Sequence, residues 1–356
     1  MEKILVINPG STSTKIAVYN DQDQVFVETI DHDPQELKKF KAVADQFEMR
    51  KELILNVVKN HNEDINKLTA VVARGGLLPP VKAGAYKVNM DMVDQLTHRP
   101  QNEHASNLGA IIAFAIAEPL KIPSFVYDPV TVDEMIPLVK ITGLPEMERK
   151  GMGHNLNMRA CAIKYAESID KPYNELTVIV AHLGGGITFT LHHEGRMIDM
   201  ISDDEGSFSP ERAGGLPVFQ VAKMITSKEY NYKTFMSKIK NEAGLQGWLG
   251  TKDAREVEKR IAGGDEKATL IYEALALNVA KSIAKLAPVV NGKVDAIILT
   301  GGIAYSKMIT DWITEKSEFI APVVVMAGEN EMESLSSGAL RVLNGQEKAH
   351  TFVGLD

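Results

Sequence analysis

Three glycine-containing turns, each placed after a run of apolar residues, have the residue types to do chemistry. They lie in ILVINPGSTSTKIAVYN (residues 4–20), LTVIVAHLGGGITFTLHHEG (176–195) and DAIILTGGIAYS (295–306). Glycine lets backbone N–H groups approach phosphate oxygens because no Cβ stands in the way. One such turn is weak evidence, but three of them after strands predict that the protein holds a polyphosphate.

The first turn is also rich in polar side chains. It carries an amide, four hydroxyls and an amine: Asn8, Ser11, Thr12, Ser13, Thr14 and Lys15. Such groups can bind phosphate or a phosphate-bound metal, whereas a solvated Ser/Thr turn is the alternative for this stretch taken alone. The sequence contains no G-x-x-x-x-G-K-[ST], and no G-x-G-x-x-G between a strand and a helix, so P-loop and dinucleotide-binding sites have no support.

The elements that must position these turns alternate between strand-like and helical patterns, which predicts an α/β fold. Helices are expected over residues 35–60, 103–118 and 155–169, with short strands at LTAVVAR (68–74) and PSFVYDP (123–129). The Gly/Pro/charged stretch TGLPEMERKGMGH is expected to cross between domains.

The chain also repeats its opening pattern about halfway along. Asn8-Pro9-Gly10 aligns with His182-Leu183-Gly184 in the second half of the sequence. Two halves with matching strand–turn–strand openings predict a duplicated fold with a ligand between the halves. A chance match of two hairpins is the alternative.

Composition narrows the class of protein. The 356 residues are 44% hydrophobic and 24% charged, which is ordinary for a soluble globular protein, and the length suggests about two domains. The net charge of −8 argues against a general nucleic-acid or anionic-membrane surface. The single cysteine, Cys161, excludes a disulfide framework and is expected to be a small buried residue in a helix. The short apolar run at the start does not resemble a signal peptide, and no segment approaches a membrane span, so a cytoplasmic location is expected.

The motifs together resemble the acetokinase family of the acetate and sugar kinase/actin superfamily. They are INPGSTSTK, RGGLLPPV, EHASNLGA, HLGGGIT, FSPERAGGLP, KDARE, LTGGIAYSK and ENEMESLSSGALRVL, and they span residues 7–343. The resemblance implies a duplicated two-lobe, actin-like ATPase fold with ATP in the interlobe cleft. It also implies an N-terminal lobe of residues 1–148 plus 332–356, with a returning C-terminal helix, and a nucleotide-binding lobe of residues 149–331.

The activity that the resemblance implies is reversible, Mg²⁺-dependent transfer of phosphate from ATP to a short-chain carboxylate, which could form ATP in fermentation. Chain length and the RGGLLPPV and EHASNLGA variants favour the butyrate-type members. Isobutyrate, propionate and acetate remain alternative acids, since one methylene is worth only about 1–3 kcal/mol in a pocket. An actin-like ATPase and a phosphate hydrolase are the other classes considered. A homo-oligomer, dimeric or larger, is expected.

In the first lobe the resemblance assigns roles to residues of four motifs. Asn8 would position magnesium, while Ser11 and Lys15 would approach the ATP phosphates. Asp128, at the end of a strand, would be an electrostatic and positioning group near the acceptor, since a carboxylate substrate is already ionised at pH 7. The residues that would surround the acyl group are Arg74, His104 and Asn107. Arg74 stands three residues beyond the register of the family's substrate arginine, where Val71 lies in this chain.

In the second lobe the resemblance assigns the remaining roles. Arg212 would stabilise the phosphoryl group in transit, because a guanidinium stays charged and presents a rigid fork of donors. His154 and His182 match family histidines near the phosphates; His154 would stabilise the transition state, and His182 would donate to a phosphate oxygen. The nucleotide-binding candidates are Gly184, Gly185, Gly186, Asp253, Arg255, Gly302, Ile303 and Ala304. Glu331 would be the second magnesium-positioning group, and the tandem His192-His193 is expected at the surface.

Overall fold

The computed structural model describes residues 1–227 and 229–354. The chain forms two compact units, one of residues 1–133 with 330–356 and the other of residues 134–329. The lobe boundaries expected near residues 148 and 331 stay a prediction.

Strands and helices alternate along the chain. The strands are β1 (Lys3–Pro9), β2 (Ser13–Asn20), β3 (Asp23–Asp31), β4 (Ala70–Arg74), β5 (Ala85–Lys87), β6 (Ser124–Tyr127), β7 (Thr177–Leu183), β8 (Ile187–His193), β9 (Arg196–Ile201), β10 (Ala296–Gly301), β11 (Val323–Ala327) and β12 (His350–Thr351). The α-helices are α1 (Pro34–Leu37), α2 (Phe47–Asn60), α3 (Met90–His98), α4 (Asn107–Leu120), α5 (Pro137–Lys140), α6 (Asn155–Ser168), α7 (Val218–Thr226), α8 (Tyr232–Asn241), α9 (Gly244–Leu249), α10 (Ala254–Ala262), α11 (Glu266–Leu286), α12 (Lys307–Ser317) and α13 (Glu331–Leu343).

The first unit is built on a mixed sheet in the order β12-β5-β6-β4-β1-β2-β3. β1 and β4 pair in parallel, as do β4 and β6, so their carboxyl ends share one edge of the sheet. Helices α2 and α4 bury apolar side chains against one face, including Ile54 and Ile112. Helix α13 packs against β1, β4 and β6. This arrangement brings Asn8, Arg74 and Asp128 to the same edge.

The second unit has a sheet in the order β11-β10-β7-β8-β9, in which β7 and β10 run parallel. One face packs against α11 and α12 in a large apolar core that contains Phe189, Tyr272 and Leu299. The other face packs against α6 through residues such as Met158 and Ile298. The parallel pair places the turns after Leu183 and Gly301 at one edge of the sheet.

The strands confirm the duplication expected from the sequence. Both ends of β7 follow those of β1 by the offset that separates His182 from Asn8, and the start of β8 follows that of β2 by the same offset. Both pairs are antiparallel hairpins, with Asn8 opposite Lys15 in the first and His182 opposite Thr188 in the second. The matching sequence patterns at residues 4–20 and 176–195 therefore form matching hairpins and are not a chance similarity.

The expected helix over residues 35–60 is wrong in its first third. Helix α1 ends at Leu37, and Ala42 adopts an extended conformation that breaks the helical path. The Asp45 carboxylate accepts a hydrogen bond from the Ala42 N–H and so caps the 3₁₀ turn that leads into α2. Local capping thus outweighs the helical periodicity of the stretch.

The expected helix over residues 103–118 begins four residues later. The His104 ring bonds to the side chain and backbone of Ser106, which replaces a helical turn with a side-chain turn. Helix α4 then starts at Asn107 and continues through Pro119 to Leu120.

Two single-residue expectations have opposite outcomes. Cys161 is buried on α6, as expected. His192 is also fully buried, so the expectation of a surface tandem is wrong for this residue, whereas the neighbouring His193 side chain is 40% exposed. Both faces of β8 are buried from Ile187 to His192, and only the last residue of the strand, His193, reaches the surface.

Within the two described ranges, every helix is too short or too polar to span a bilayer.

Candidate active site

At the sheet edge of the first unit, one carboxylate connects two of the expected site residues. Glu331 Oε2 accepts a hydrogen bond of 2.6 Å from the Asn8 side-chain amide. Its Oε1 lies 2.8 Å from Nη1 of Arg74, with both side chains about one quarter exposed. Glu331 opens helix α13, where the N-terminal end of the helix dipole favours an acidic side chain. The structure therefore brings the two magnesium candidates and the acyl candidate Arg74 together.

The β1–β2 turn presents its hydroxyls beside this group. Ser11 and Thr12 are exposed, and Lys15 is half-buried opposite Asn8 in the hairpin register. Residues directly opposite each other in an antiparallel pair project on the same face, so the Lys15 amine and the Asn8 amide share a face of the hairpin. Thr14 is buried instead, and its hydroxyl bonds to His32 at 2.8 Å.

Asp128 is buried at the end of β6. Its Oδ1 accepts a hydrogen bond of 2.6 Å from the Gly84 N–H, and its own N–H donates to the Gly84 carbonyl. The residue has φ 40°, an uncommon left-handed conformation for a non-glycine residue. This strained turn fixes the carboxylate at the end of the strand.

His104 and Asn107 occupy the loop that precedes α4 and the first position of that helix. Burial, with a smaller effect from the Arg74 charge, lowers the pKa of His104 below its usual value, which favours a neutral imidazole. The Asn107 amide oxygen accepts a hydrogen bond from the Leu77 N–H at 2.8 Å. Both residues also line a small cavity of about 30 Å³.

In the second unit, two histidines stack beside the β7–β8 turn. The His154 and His182 rings lie 3.8 Å apart at an interplanar angle of 8°. Nδ1 of His182 is 3.1 Å from the Asn157 amide nitrogen. Its Nε2 is buried and lies 3.0 Å from Oε1 of Glu329, yet it has no aligned hydrogen-bond partner. An unsatisfied buried nitrogen at a glycine turn suits a phosphate oxygen.

Arg212 reaches the same turn from the loop after β9. Its Nη1 forms an ion pair with Oδ2 of Asp203, and both side chains are about one third exposed. A Cβ added to Gly186 would lie only 2.6 Å from this Nη1. The guanidinium therefore covers the turn at a distance that only glycine permits.

A cavity of about 750 Å³ opens beside this turn, entirely within the second unit. It brings together six of the expected nucleotide-binding residues: Gly184, Gly185, Asp253, Arg255, Gly302 and Ile303. Gly186 and Ala304 are not in its lining, and Ala304 is buried. Asp253 caps α10 and holds Arg255 at 2.7 Å, and the Arg255 side chain is 87% exposed. The volume is within the usual range for a small-molecule site.

The residues present fit the expected cofactors. Magnesium in phosphate-transfer sites is held by one or two protein oxygens together with water and substrate phosphates. Asn8 and Glu331 offer an amide oxygen and a carboxylate that could fill this role. His182 Nε2, which has no aligned hydrogen bond, and the guanidinium of Arg212 over the glycine turn offer donors to a nucleotide phosphate.

Sequence reasoning missed several residues at these sites. Tyr305 and Glu258 line the large cavity, and Asp203 pairs with Arg212. Arg50 lies beneath the first turn; an arginine on the apolar stripe of a helix was its signal in the sequence. The other three carry no such signal, since Tyr, Glu and Asp are ordinary residues in partly exposed turns and helices.

Solved structures of carboxylate kinases are similar to this chain over its whole length. Acetate kinase from Porphyromonas gingivalis matches with a TM-score of 0.80 and 18% identity, covering 96% of this chain and 100% of that chain. A propionate kinase from Francisella tularensis subsp. tularensis SCHU S4 matches with a TM-score of 0.74 and 20% identity, covering 95% of this chain and 99% of that chain. Acetate kinase from Entamoeba histolytica matches with a TM-score of 0.77 and 15% identity, covering 96% of this chain and 99% of that chain.

These likenesses confirm the predicted α/β fold, which acetate kinases share with sugar kinases and actin-like ATPases. The model of the acetokinase family matches residues 147–334, more than half of the chain. The match includes both histidines of the stacked pair, Arg212 and Glu331. This chain belongs to the acetokinase family, a family of carboxylate kinases.

Proposed function

We propose that this protein transfers the γ-phosphoryl group of ATP to butyrate and forms butanoyl phosphate and ADP. The observation that carries the proposal is the contact of Glu331 with both Asn8 and Arg74. It supports a site in which Arg74 would bind the acid beside the groups suited to magnesium, as transfer to a carboxylate requires. A phosphate hydrolase, whose acceptor is water, has no need of such a cation.

The small cavity next to His104 and Asn107 supports a short acyl chain. Its lining includes the apolar side chains of Leu96, Leu108 and Ile111. Burial of each methylene in such a pocket is worth about 0.8 kcal/mol. At about 30 Å³ the cavity would have to widen to admit a chain of a few carbons, and its apolar side chains favour such a chain over a sugar.

The chemistry needs positioning and charge more than a base. A carboxylate oxygen of butyrate attacks the γ-phosphorus, and the bond from that phosphorus to the β,γ-bridging oxygen breaks. The electron pair leaves with ADP, and no proton moves because the acid is ionised at neutral pH. Arg74 would orient the acid, and Arg212 would stabilise charge on the transferring group. Bound magnesium would neutralise phosphate charge.

The test is acyl-phosphate formation from MgATP, trapped with hydroxylamine, for acetate, propionate, butyrate, isobutyrate and valerate. We expect a hydroxamate signal that peaks at butyrate. A peak at another acid would keep the reaction and change the substrate. ATP loss without hydroxamate for any acid would contradict the proposal and favour a hydrolase or a regulatory ATPase.

Arg74→Gln sharpens this test. We expect the half-saturating butyrate concentration to rise by about tenfold or more, as for a lost charged hydrogen bond, with little change for ATP. Arg99→Gln, which removes an exposed arginine paired with Asp94, is the matched control and should behave as wild type. Equal acid affinities in the two variants would exclude Arg74 as the acid-binding group.

A further inference from the structure

Arg50 is a fully buried arginine on helix α2. It shares the buried side of the helix with Ile54, Val57 and Val58, where an apolar residue is expected. Charged side chains are almost never fully buried unless they are paired. The burial of this charged side chain therefore needs a physical explanation.

The guanidinium supports the β1–β2 turn from below. Nη1 donates to the Gly10 carbonyl at 2.9 Å, to the Ser13 carbonyl at 3.2 Å and to the Thr14 hydroxyl at 2.9 Å. Nη2 makes a longer contact of 3.5 Å with the Ser11 carbonyl. Together these contacts to one turn fix its shape.

The other side of the guanidinium is held by Gln46. Its Oε1 accepts from Nε at 3.0 Å and from Nη2 at 2.8 Å. Every acceptor of Arg50 is thus a neutral oxygen, and no acidic side chain within residues 1–227 and 229–354 forms an ion pair with it. Arg149 in the second unit is different, since it pairs with Asp199 and Glu205.

The positive charge under the turn is therefore uncompensated by the protein. Burial lowers the pKa of Arg50 to about 10, which still leaves it protonated at neutral pH. The nearby His32, which bonds to Thr14, has a pKa lowered by burial and by the Arg50 charge, so it favours the neutral form. A buried unpaired charge is costly, and charges interact strongly where water is excluded.

We propose that Arg50 is a positioning residue for the outer phosphates of the nucleotide. It holds the turn in shape, and its unpaired charge makes the turn attractive to anions. The inference rests on the proposed function and on the expectation that Ser11 and Lys15 of this turn approach the ATP phosphates. The alternative is that Arg50 is only a scaffold and its charge is incidental.

Gln46→Glu separates these two roles. The carboxylate is nearly the same shape as the amide and can keep both hydrogen bonds to the guanidinium, but it neutralises the charge. Gln22→Glu makes the same chemical change at an exposed position on the β2–β3 turn and is the matched control. Binding of a non-hydrolysable ATP analogue and of AMP, each with Mg²⁺, would be measured by calorimetry, and thermal unfolding would be followed in parallel.

We expect Gln46→Glu to weaken binding of the ATP analogue by about tenfold, as for loss of one nearby unit charge. Binding of AMP, which lacks the outer phosphates, should not change, and the midpoint of unfolding should be equal or higher. Gln22→Glu should match wild type throughout. Unchanged analogue binding in Gln46→Glu, or an equal loss for AMP, would overturn the inference.

A second pair of variants covers the case in which Gln46→Glu fails to fold. Arg50→Lys keeps the charge and Arg50→Met removes it, while both lose most of the hydrogen bonds. We expect the lysine variant to bind the analogue several-fold more tightly than the methionine variant. Equal binding would overturn the inference. If the wild-type protein binds the analogue but makes no hydroxamate, the proposed carboxylate kinase activity is wrong. The role of Arg50 in binding phosphates can still be judged from the binding data.

Discussion

The β1–β2 and β7–β8 hairpins share three of their four strand bounds at a constant offset along the chain, yet their turns make different contacts. The first turn presents hydroxyls above a buried arginine. The second presents bare backbone beneath His182 and Arg212. A Cβ on Gly10 would meet its nearest atom at 3.4 Å, whereas one on Gly186 would reach Arg212 at 2.6 Å.

The difference shows how a duplicated frame can carry two chemistries. The hairpin geometry depends on apolar strands, which both halves retain. The contacts made by each turn depend on a few polar residues outside the hairpin, such as Arg50 on α2 and Arg212 after β9. Changes to those residues should therefore affect the two turns differently.

Removal of the guanidinium above the second turn should have the largest effect. Arg212→Gln is expected to lower kcat by about 10³-fold, the order found for arginines that stabilise a transferring phosphoryl group. Its unfolding midpoint should stay near that of wild type because the side chain is partly exposed. Steady-state hydroxamate assays would measure this. A loss confined to KM would show that Arg212 binds substrate and does not act in the transition state.

A methyl group added to each turn compares them directly. Gly186→Ala should displace the Arg212 guanidinium and lower kcat by about tenfold or more, since a misplacement of about 1 Å can cost 10²-fold. Gly10→Ala has ordinary contacts at 3.4 and 3.5 Å and should change kcat less than about twofold. Similar losses in the two variants would mean that the turns tolerate a side chain equally.

The strands behind the turns differ in one buried group, which should produce a smaller, pH-dependent effect. His192 on β8 lies opposite Val178, as Tyr19 on β2 lies opposite Ile4, and burial lowers the pKa of His192 to about 3. The folded state binds this proton less readily than the unfolded state, so the stabilisation is complete above about pH 6.5 and is lost as pH falls toward 3.

Denaturant unfolding at several pH values would test this. Between pH 6.5 and 4.5, His192→Val should lose about 2 kcal/mol less stability than wild type. His193→Gln, which removes an exposed imidazole from the same strand, is the control. Parallel pH profiles for wild type and His192→Val would contradict a buried neutral His192.

The hairpins, the α/β class and the family could be predicted from the sequence because they depend on contiguous patterns. NPGSTSTK and HLGGGIT each lie within one short stretch, and the apolar strands around them are unambiguous. The expected grouping of Asn8, Arg74 and Glu331 is present in the structure, although their roles stay predictions.

Most features that the sequence did not reveal depend on contacts between residues far apart in the chain, and one depends on a local cap. Nothing near Arg50 in the chain indicates that its partners are the carbonyls of Gly10 and Ser13. His192 is buried beside Tyr173, whose hydroxyl lies 2.7 Å from Nδ1 of the ring although the two residues are 19 positions apart. The break after Leu37 depends on the local cap formed by Asp45, which competes with a helical pattern of similar strength.

Phosphorus NMR of MgATP with butyrate, in the absence of hydroxylamine, tests the central claim most directly. The account predicts that the γ-phosphate signal is replaced by equal amounts of ADP and an acyl phosphate, with no early inorganic phosphate, and that Arg212→Gln slows both signals together. Inorganic phosphate formed with ADP, without any acyl phosphate, would contradict transfer to a carboxylate.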